Sequence, residues 1–491
     1  MPPCNARPAR FLKPRGSLHC PKHVSMSLQI KRSASVLLFF LLFAAHLHAQ
    51  ERPNIIFILT DDQRWDALGY AGNEVIHTPE MDRLAREGVY FQNAFVTTPI
   101  CATSRASILT GMYERTHGYT FGQGEIKKEY IDQSYPLKMK NSGYRTGFYG
   151  KFGVNYKGFS TMFDEGENYD RNGKFKDRRG YFYKTIGQDT VHLTRYTGHK
   201  AIEFIQESPE GQPFCLSLSF SAPHAHDPAA DQYFYEDQFA KLYEEVEIKA
   251  PLLGKKKFFK AQPDYVREGE NRTRWHWRYD NPAKYQASVK GYYRMISEVD
   301  AEIGKIREAL QKNGIAHNTI IILTGDNGYF LGERQLAGKW LMYDNSLRVP
   351  LIIYDPRNPN PRDVEDMALN IDIPSTIFDF AGLEVPRTWQ GKSLASYVRG
   401  ENPLASREEF ICEHLWQVDI IAPSEGVRTK DWKYFRYIND PDHEELYDLK
   451  NDPLEKKNLV EDKTAQTKLV EMRKRFAELD KKMRSERLVT D

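Results

Sequence analysis

Two apolar runs that end alike constrain this chain more than any other feature. Residues 54–59 (NIIFIL) stop at Thr60, Asp61 and Asp62, and residues 319–324 (TIIILT) stop at Gly325, Asp326, Asn327 and Gly328. A short apolar run without alternation is how a strand buried on both faces looks, and such strands belong to parallel sheets covered by helices. Ligands collect at the carboxyl ends of these strands. One acidic pair in that position reads as a turn or a helix cap. Two at matching strand ends read as a metal site. Asp61, Asp62, Asp326 and Asn327 offer oxygen ligands with no His or Cys nearby in sequence, a set that suits calcium or magnesium rather than zinc, calcium being the more tolerant of irregular geometry.

The sequence around these runs alternates helix and strand. Thr78 and Pro79 supply an N-cap and a first helical residue for a helix through Arg86, stopped by Gly88. Gly143 ends a helix before a strand at 145–149, Pro213 precedes a strand at 214–220, and the amphipathic stretch 285–312 leads into the second acidic strand. Residues 349–354 add another strand. The expected fold class is α/β, with a large mixed, mostly parallel sheet flanked by helices over residues 52–400. From Glu408 the texture changes to short pieces at 410–414, 432–437 and 445–449, followed by a helix with Leu469, Met472, Phe476 and Met483 on one face. Residues 401–491 are therefore expected to form a small antiparallel sheet plus helix subdomain.

Charge is unevenly distributed. The 491 residues carry 69 Lys plus Arg against 67 Asp plus Glu, yet residues 1–50 hold seven of the bases and no acid. Residues 1–49 are expected to be a leader. Met26, Lys31 and Arg32, the apolar run 36–45 and the small-residue stretch to Ala49 follow the order of a secretory signal, with residues 1–25 as an upstream mis-start. The run is too short to span a membrane, which needs about 20 residues, so no stable anchor is expected and the protein reads as secreted or periplasmic. Taking seven bases from 69 leaves 62 against 67 acids, net −5, which argues against nucleic acid as a partner. Of five cysteines, Cys101, Cys215 and Cys412 remain beyond the leader, and no disulfide framework is expected. Cys215 and Cys412 lie in apolar runs and read as core.

Cys101 differs. It lies in TTPICATSR, a loop entering a helix, and a helix N-terminus both lowers a thiol pKa and binds anions. A thiol nucleophile and a buried Cys are both open on that ground. The stretch resembles the CxPSR signature of the type I sulfatases of the alkaline phosphatase superfamily, with Leu109, Thr110 and Gly111 matching the end of the following helix. The resemblance extends from Arg52 to about Leu459. Asp61, Asp62 and Thr324 to Gly328 resemble the family's metal strands, Gly150 and Lys151 the start of GKWHLG, and Pro223 and His224 its histidine loop. Gly338, Lys339 and Trp340 with Tyr343 and Arg348 resemble its sulfate-binding lysine segment, and residues 445–453 its C-terminal subdomain. There are two departures. Thr103 stands where the family has Pro or Ala, and Gly153 where it has the His of GKWHLG. His117 and His226 are the alternatives for that histidine, each equally readable as packing.

The resemblance implies an alkaline-phosphatase-like fold and hydrolysis of sulfate esters, with a sulfated carbohydrate or polysaccharide as substrate. It implies that a formylglycine-generating enzyme converts Cys101 to formylglycine, and that one Ca²⁺ is bound by Asp61, Asp62, residue 101, Asp326 and Asn327. Lys151, Lys339 and Arg105 would neutralise sulfate oxygens, and His224 would protonate the departing alcohol. A phosphodiesterase or phosphonate hydrolase of the same superfamily, and a non-catalytic carbohydrate-binding homologue, are the alternatives. Residues 249–280 hold nine Lys or Arg against four acids, together with Trp275, His276 and Trp277. This segment reads equally as a lip for an anionic, ring-bearing ligand or as a solvated lid with two aromatic anchors.

Overall fold

The computed structural model describes residues 52–401 and 406–489. The leader expected at 1–49, with Cys4 and Cys20, lies outside them. The first acidic run forms β1 (Asn54–Thr60) and the second forms β6 (Thr319–Gly325), and the two pair in parallel from Asn54↔Thr319 to Thr60↔Gly325. Both strands are buried on both faces. Ile55, Phe57 and Leu59 enter one core, while Ile56 and Ile58 enter the other. With this period of two, every residue of the run is covered, which is why no polar alternation interrupts it.

Between β1 and β6 the chain forms α1 (Pro79–Glu87), β2 (Val89–Phe95), α2 (Cys101–Thr110), β3 (Arg145–Gly150), β4 (Glu165–Asn168), β5 (Phe214–Ser219), α3 (Glu270–Arg278) and α4 (Pro282–Lys312). After β6 come β7 (Leu351–Tyr354) and β8 (Arg362–Leu369). The eight strands lie in the order β8-β2-β7-β6-β1-β5-β3-β4, and only β7 runs antiparallel to its neighbours. The fold class is thus the expected one, a mostly parallel sheet with helices on both faces. Helix α2 buries Ala102, Ala106, Ile108 and Leu109 against one face, and α4 buries Val289, Ile296 and Ile303 against the other.

The C-terminal sheet has four antiparallel strands, β9 (Glu409–His414), β10 (Ser424–Thr429), β11 (Trp432–Tyr437) and β12 (Asp440–Asp448), backed by α5 (Gln466–Ser485). Its core is continuous with that of the large sheet: Phe410 stacks on Phe95 with ring centroids 5.4 Å apart, and Cys412, Phe435 and Tyr447 join the same buried cluster. Buried Arg115 adds a polar tie, donating to Glu413 of β9 at 2.5 Å, to Glu425 of β10 at 3.2 Å and to Asp480 of α5. Cys101, Cys215 and Cys412 are free thiols, all buried. Among the described residues no helix is long and apolar enough to cross a membrane.

Candidate functional site

Parallel pairing of β1 with β6 brings their carboxyl ends side by side, so Asp61 and Asp62 face Asp326 and Asn327. The Asp62 amide donates to Asp326 Oδ1 at 3.0 Å, and Asn327 Nδ2 donates to Asp62 Oδ1 at 2.6 Å. Asp62 has φ 68, a left-handed backbone that Asp tolerates better than most residues. Cys101 is the first residue of α2, behind an Ile100 that provides no side-chain cap, and Arg105 lies one turn on, on the same face. Lys151 follows the end of β3, and His224 follows the end of β5. Lys339 follows a two-stranded ribbon in which Ala337–Gly338 pairs with Phe330–Leu331. Every sequence-predicted site residue thus reaches the same edge of the sheet. A glycine helps to bring Lys151 there: Gly150 has φ +116, and a Cβ on it would sit 1.9 Å from the Ser219 carbonyl oxygen.

The cations engage the carboxylates directly. Lys151 Nζ is 2.5 Å from Asp61 Oδ2, and Lys339 Nζ is 2.5 Å from Asp62 Oδ1. Arg105 donates to Asp326 Oδ2 at 2.8 Å, to the Lys151 carbonyl and to Ser219 Oγ. Burial opposes ionisation of Asp61, but Lys151, Lys339 and Arg105 outweigh it and hold the carboxyl below its ordinary value. Asp326 goes the other way. Burial, joined by the charge of Asp61, pushes it up to about 6.

Three buried oxygens at this edge, Asp61 Oδ1, Asp62 Oδ2 and Asn327 Oδ1, have no hydrogen-bond partner among the described residues. Ligand atoms of Asp61, Cys101 and Asp326 lie within 4.8 Å of one another, as do those of Asp61, Asp62 and His224. Unpaired buried acceptors are costly, and a hard cation is the partner that oxygen acceptors at such spacing fit.

His224 Nδ1 donates to the Ala225 carbonyl oxygen at 2.7 Å, and Nε2 faces Asp62 Oδ2 at 3.5 Å. Burial, then Arg171, Lys339 and Lys151, hold this imidazole well below its ordinary pKa, so it is neutral in the free protein. The other histidines are engaged elsewhere. His117 Nε2 bonds Ser107 Oγ at 3.0 Å and its Nδ1 accepts from the Tyr119 amide, while His226 Nε2 donates to the Phe175 carbonyl at 2.7 Å. Both are packing residues. Gly153 has φ +72, and a Cβ there would lie 2.8 Å from Arg105 Cδ, so the absence of a side chain at this position makes room for Arg105.

Several residues of the site escaped sequence reasoning. Asp170 Oδ2 is 3.6 Å from Lys151 Nζ, and Arg171 pairs with Asp170. Asp227 holds Arg274 at 3.1 Å and also Arg278. Asp170 and Arg171 sit in no periodic pattern and beside no recognisable motif, whereas Asp227 lies three residues past His224, and that proximity was the signal for it. The structure also revises the basic segment. Arg272 lies between the rings of Phe259 and Trp275, at 4.1 and 3.9 Å, and donates to the Gln335 carbonyl. Arg274 is held by Asp227 and Glu270. Arg272, Arg274 and Arg278 are thus used within the fold, whereas Lys249, Lys255, Lys256, Lys257 and Lys260 are exposed; Trp275 packs on the core, and Trp277 is the exposed aromatic.

Residues 53–383 match the sulfatase family model, and residues 332–482 match the model described as N-sulphoglucosamine sulphohydrolase, C-terminal. An N-acetylglucosamine-6-O-sulfatase of Bacteroides thetaiotaomicron is 29% identical, the match covering 83% of each chain. An arylsulfatase of Clostridium perfringens is 29% identical over 86% of this chain and 93% of its own. Among solved structures, BT4656 in complex with its substrate D-glucosamine-2-N,6-O-disulfate superposes with a TM-score of 0.74 at 25% identity, covering 88% of this chain and 98% of the other. A phosphonate monoester hydrolase of Agrobacterium radiobacter reaches 0.73 at 21% identity over 88% and 96%, a likeness of fold.

Proposed function

Because the chain belongs to the sulfatase family, we propose that it hydrolyses O-sulfate esters on a sulfated carbohydrate outside the cytoplasm, with Cys101 converted to formylglycine and one Ca²⁺ held by Asp61, Asp62, residue 101, Asp326 and Asn327. The observation that carries this reading is the set of unpartnered buried oxygens ringed by Lys151, Lys339 and Arg105 at the start of α2. The relatives named for N-acetylglucosamine-6-O-sulfate and ulvan support a sugar substrate.

In this reading the ion, when bound, offsets the carboxylate charge and polarises a sulfate oxygen. A formylglycine at residue 101 would supply, as its hydrate, the nucleophilic hydroxyl for sulfur and a second hydroxyl through which the sulfate could later be released. The chain's own residues do the rest. Lys151 and Lys339 each have an ammonium beside a carboxylate, and burial favours their neutral form less than Asp170, Asp61 and Asp62 favour the charged one, so both remain cations. They take the sulfate oxygens and the charge that develops on them. Arg105, bonded to Asp326, Ser219 and the Lys151 carbonyl, holds the start of α2 against the sheet edge. His224 is oriented by its bond to Ala225. An arriving ester anion offsets the cations that keep it neutral, so Nε2 gains a proton to give to the leaving oxygen.

The test compares sulfate, phosphate and phosphonate esters of one alcohol and adds a panel of sulfated saccharides. Sulfate esters are expected to dominate, Cys101→Ala to abolish turnover in a folded protein, and the peptide containing residue 101 to carry the formylglycine mass. Faster turnover of phosphonates, or full activity with an unmodified thiol, overturns the reading.

A further inference from the structure

Against the residues that adjoin Cys101 and Lys339 in sequence stands an aromatic wall that the motifs of the reaction do not account for. Trp416, just past the end of β9, packs edge-on against Phe121 with ring centroids 4.7 Å apart. On its inner side it joins a small buried cluster of Ile100, Trp340 and Ile421. Ile100 precedes Cys101 and Trp340 follows Lys339, so this cluster touches the reaction centre from two sides. Phe121 is 38% exposed and Trp416 is half-buried, so the wall is partly open to solvent while its inner side packs on the neighbours in sequence of Cys101 and Lys339.

The wall is held rigidly. The Glu413 amide donates to the Thr97 carbonyl at 2.9 Å, the Leu415 amide to Glu114 Oε2 at 3.4 Å, and the Trp340 amide to the Pro99 carbonyl at 3.0 Å. From the far side, the Glu270 amide at the start of α3 donates to the Ile420 carbonyl at 2.8 Å. The loop bearing Trp416 is thereby fastened to the segment that leads into α2 and to the long insertion before α4. A rigid aromatic side chain presented this way binds at low cost in conformational entropy.

Unpaired polar groups lie buried behind the wall. Trp340 Nε1 and both ring nitrogens of His414, whose ring lies 6.4 Å from that of Trp416, are buried without hydrogen-bond partners among the described residues. Trp340 is 3% exposed and His414 0%. An aromatic face next to an anion site fits a molecule with an apolar face and one anionic substituent. A pyranose bearing a sulfate ester has that chemistry. We infer that Trp416, with Phe121 at its edge, is the platform on which the sulfated hexopyranose ring lies while its sulfate enters the site, so that the C-terminal sheet sets which sugar is accepted. This rests on the sulfated-carbohydrate reading above, and it transfers to Trp416 the ring-binding role that the sequence suggested for Trp275 and Trp277.

The experiment first assays the wild type on a panel of monosulfated hexoses and hexosamines and carries the best substrate forward. For Trp416→Ala, Trp416→Phe and Phe121→Ala it measures kcat/KM on that sugar and the inhibition constant of inorganic sulfate, which occupies only the reaction centre. Trp416→Ala is expected to lower kcat/KM by about tenfold or more beyond any change in sulfate inhibition. Trp416→Phe is expected to recover most of that loss, and Phe121→Ala to show a smaller fall of the same kind. Equal factors on both constants, or no change in either, overturn the platform. If Trp416→Ala does not fold, Phe121→Ala and Trp416→Phe decide by the same comparison. A wild type that hydrolyses aryl sulfates but no sulfated saccharide removes the sugar substrate and this platform together, whereas one that hydrolyses no sulfate ester refutes the proposed function itself.

Discussion

His224 shows how a single residue takes its chemistry from its neighbours. Arg171, Lys339, Lys151 and Arg274 all act on its imidazole, and together with burial they keep it neutral until an anion arrives. A proton donor matters most where the leaving alcohol is a poor leaving group, as a sugar hydroxyl is. His224→Ala is therefore expected to slow hydrolysis of alkyl or sugar sulfates by about 10² to 10⁴, and 4-nitrophenyl sulfate by far less. Parallel kinetics on the two esters check this, and equal losses would remove His224 from the role. At this scale the motif residues were legible because each carries its neighbours with it in sequence. Asp170 and Arg171 were not, since they follow the short polar strand β4, whose residues resemble a surface loop.

Among the elements, the short helix Glu114–His117 joins the start of α2 to the C-terminal sheet. Glu114 accepts from Thr98 Oγ1 at 3.2 Å and from the Leu415 amide at 3.4 Å. Burial, reinforced by the charge of Glu413, pushes its carboxyl up to about 8 from an ordinary 4.5. The folded chain thus keeps a proton that the unfolded chain has released between those values. Its stability contribution is complete below about 4.5 and is lost as pH rises through 8. Glu114→Gln removes this dependence. The unfolding free energy of the variant relative to wild type is expected to grow with pH by up to about 1.4 kcal/mol per unit and to level off above 8. Denaturant melts at several pH values measure it, and a constant difference would place the proton elsewhere. The buried strands were readable as elements because burial on both faces leaves an unbroken apolar run. Strands β8 and β10 were not. β8 is an edge strand with Asp363 and Glu365 exposed, and β10 buries Glu425 and Arg428 as ion pairs with Arg115, Arg436 and Asp344. Polar residues satisfied by distant partners look, in sequence, like residues satisfied by water.

At the scale of the whole molecule, the proposed calcium site joins the two central strands, so its occupancy should register in global stability. Chelator treatment is expected to lower the Tm, and added Ca²⁺ to restore it, by about 2.7 kcal/mol of stabilisation at one hundred times Kd. Asp326→Ala is expected to abolish the response. Thermal scans across a Ca²⁺ titration test this, and a Tm indifferent to both chelator and calcium would refute the site. The parallel core, the strand ends that carry Asp61, Asp62, Asp326 and Asn327, and the helix that begins at Cys101 were readable along the chain, because hydrophobic period and local motif are properties of neighbours in sequence. Three-dimensional packing alone settled that Gly153 makes room for Arg105, that Arg272, Arg274 and Arg278 of the basic segment are held inside the fold while its lysines stay exposed, and that Trp416, just past the end of β9, packs against Ile100 and Trp340. Those outcomes depend on which distant segments pack against one another, and a partner hundreds of residues away leaves no periodic mark on the residue that meets it.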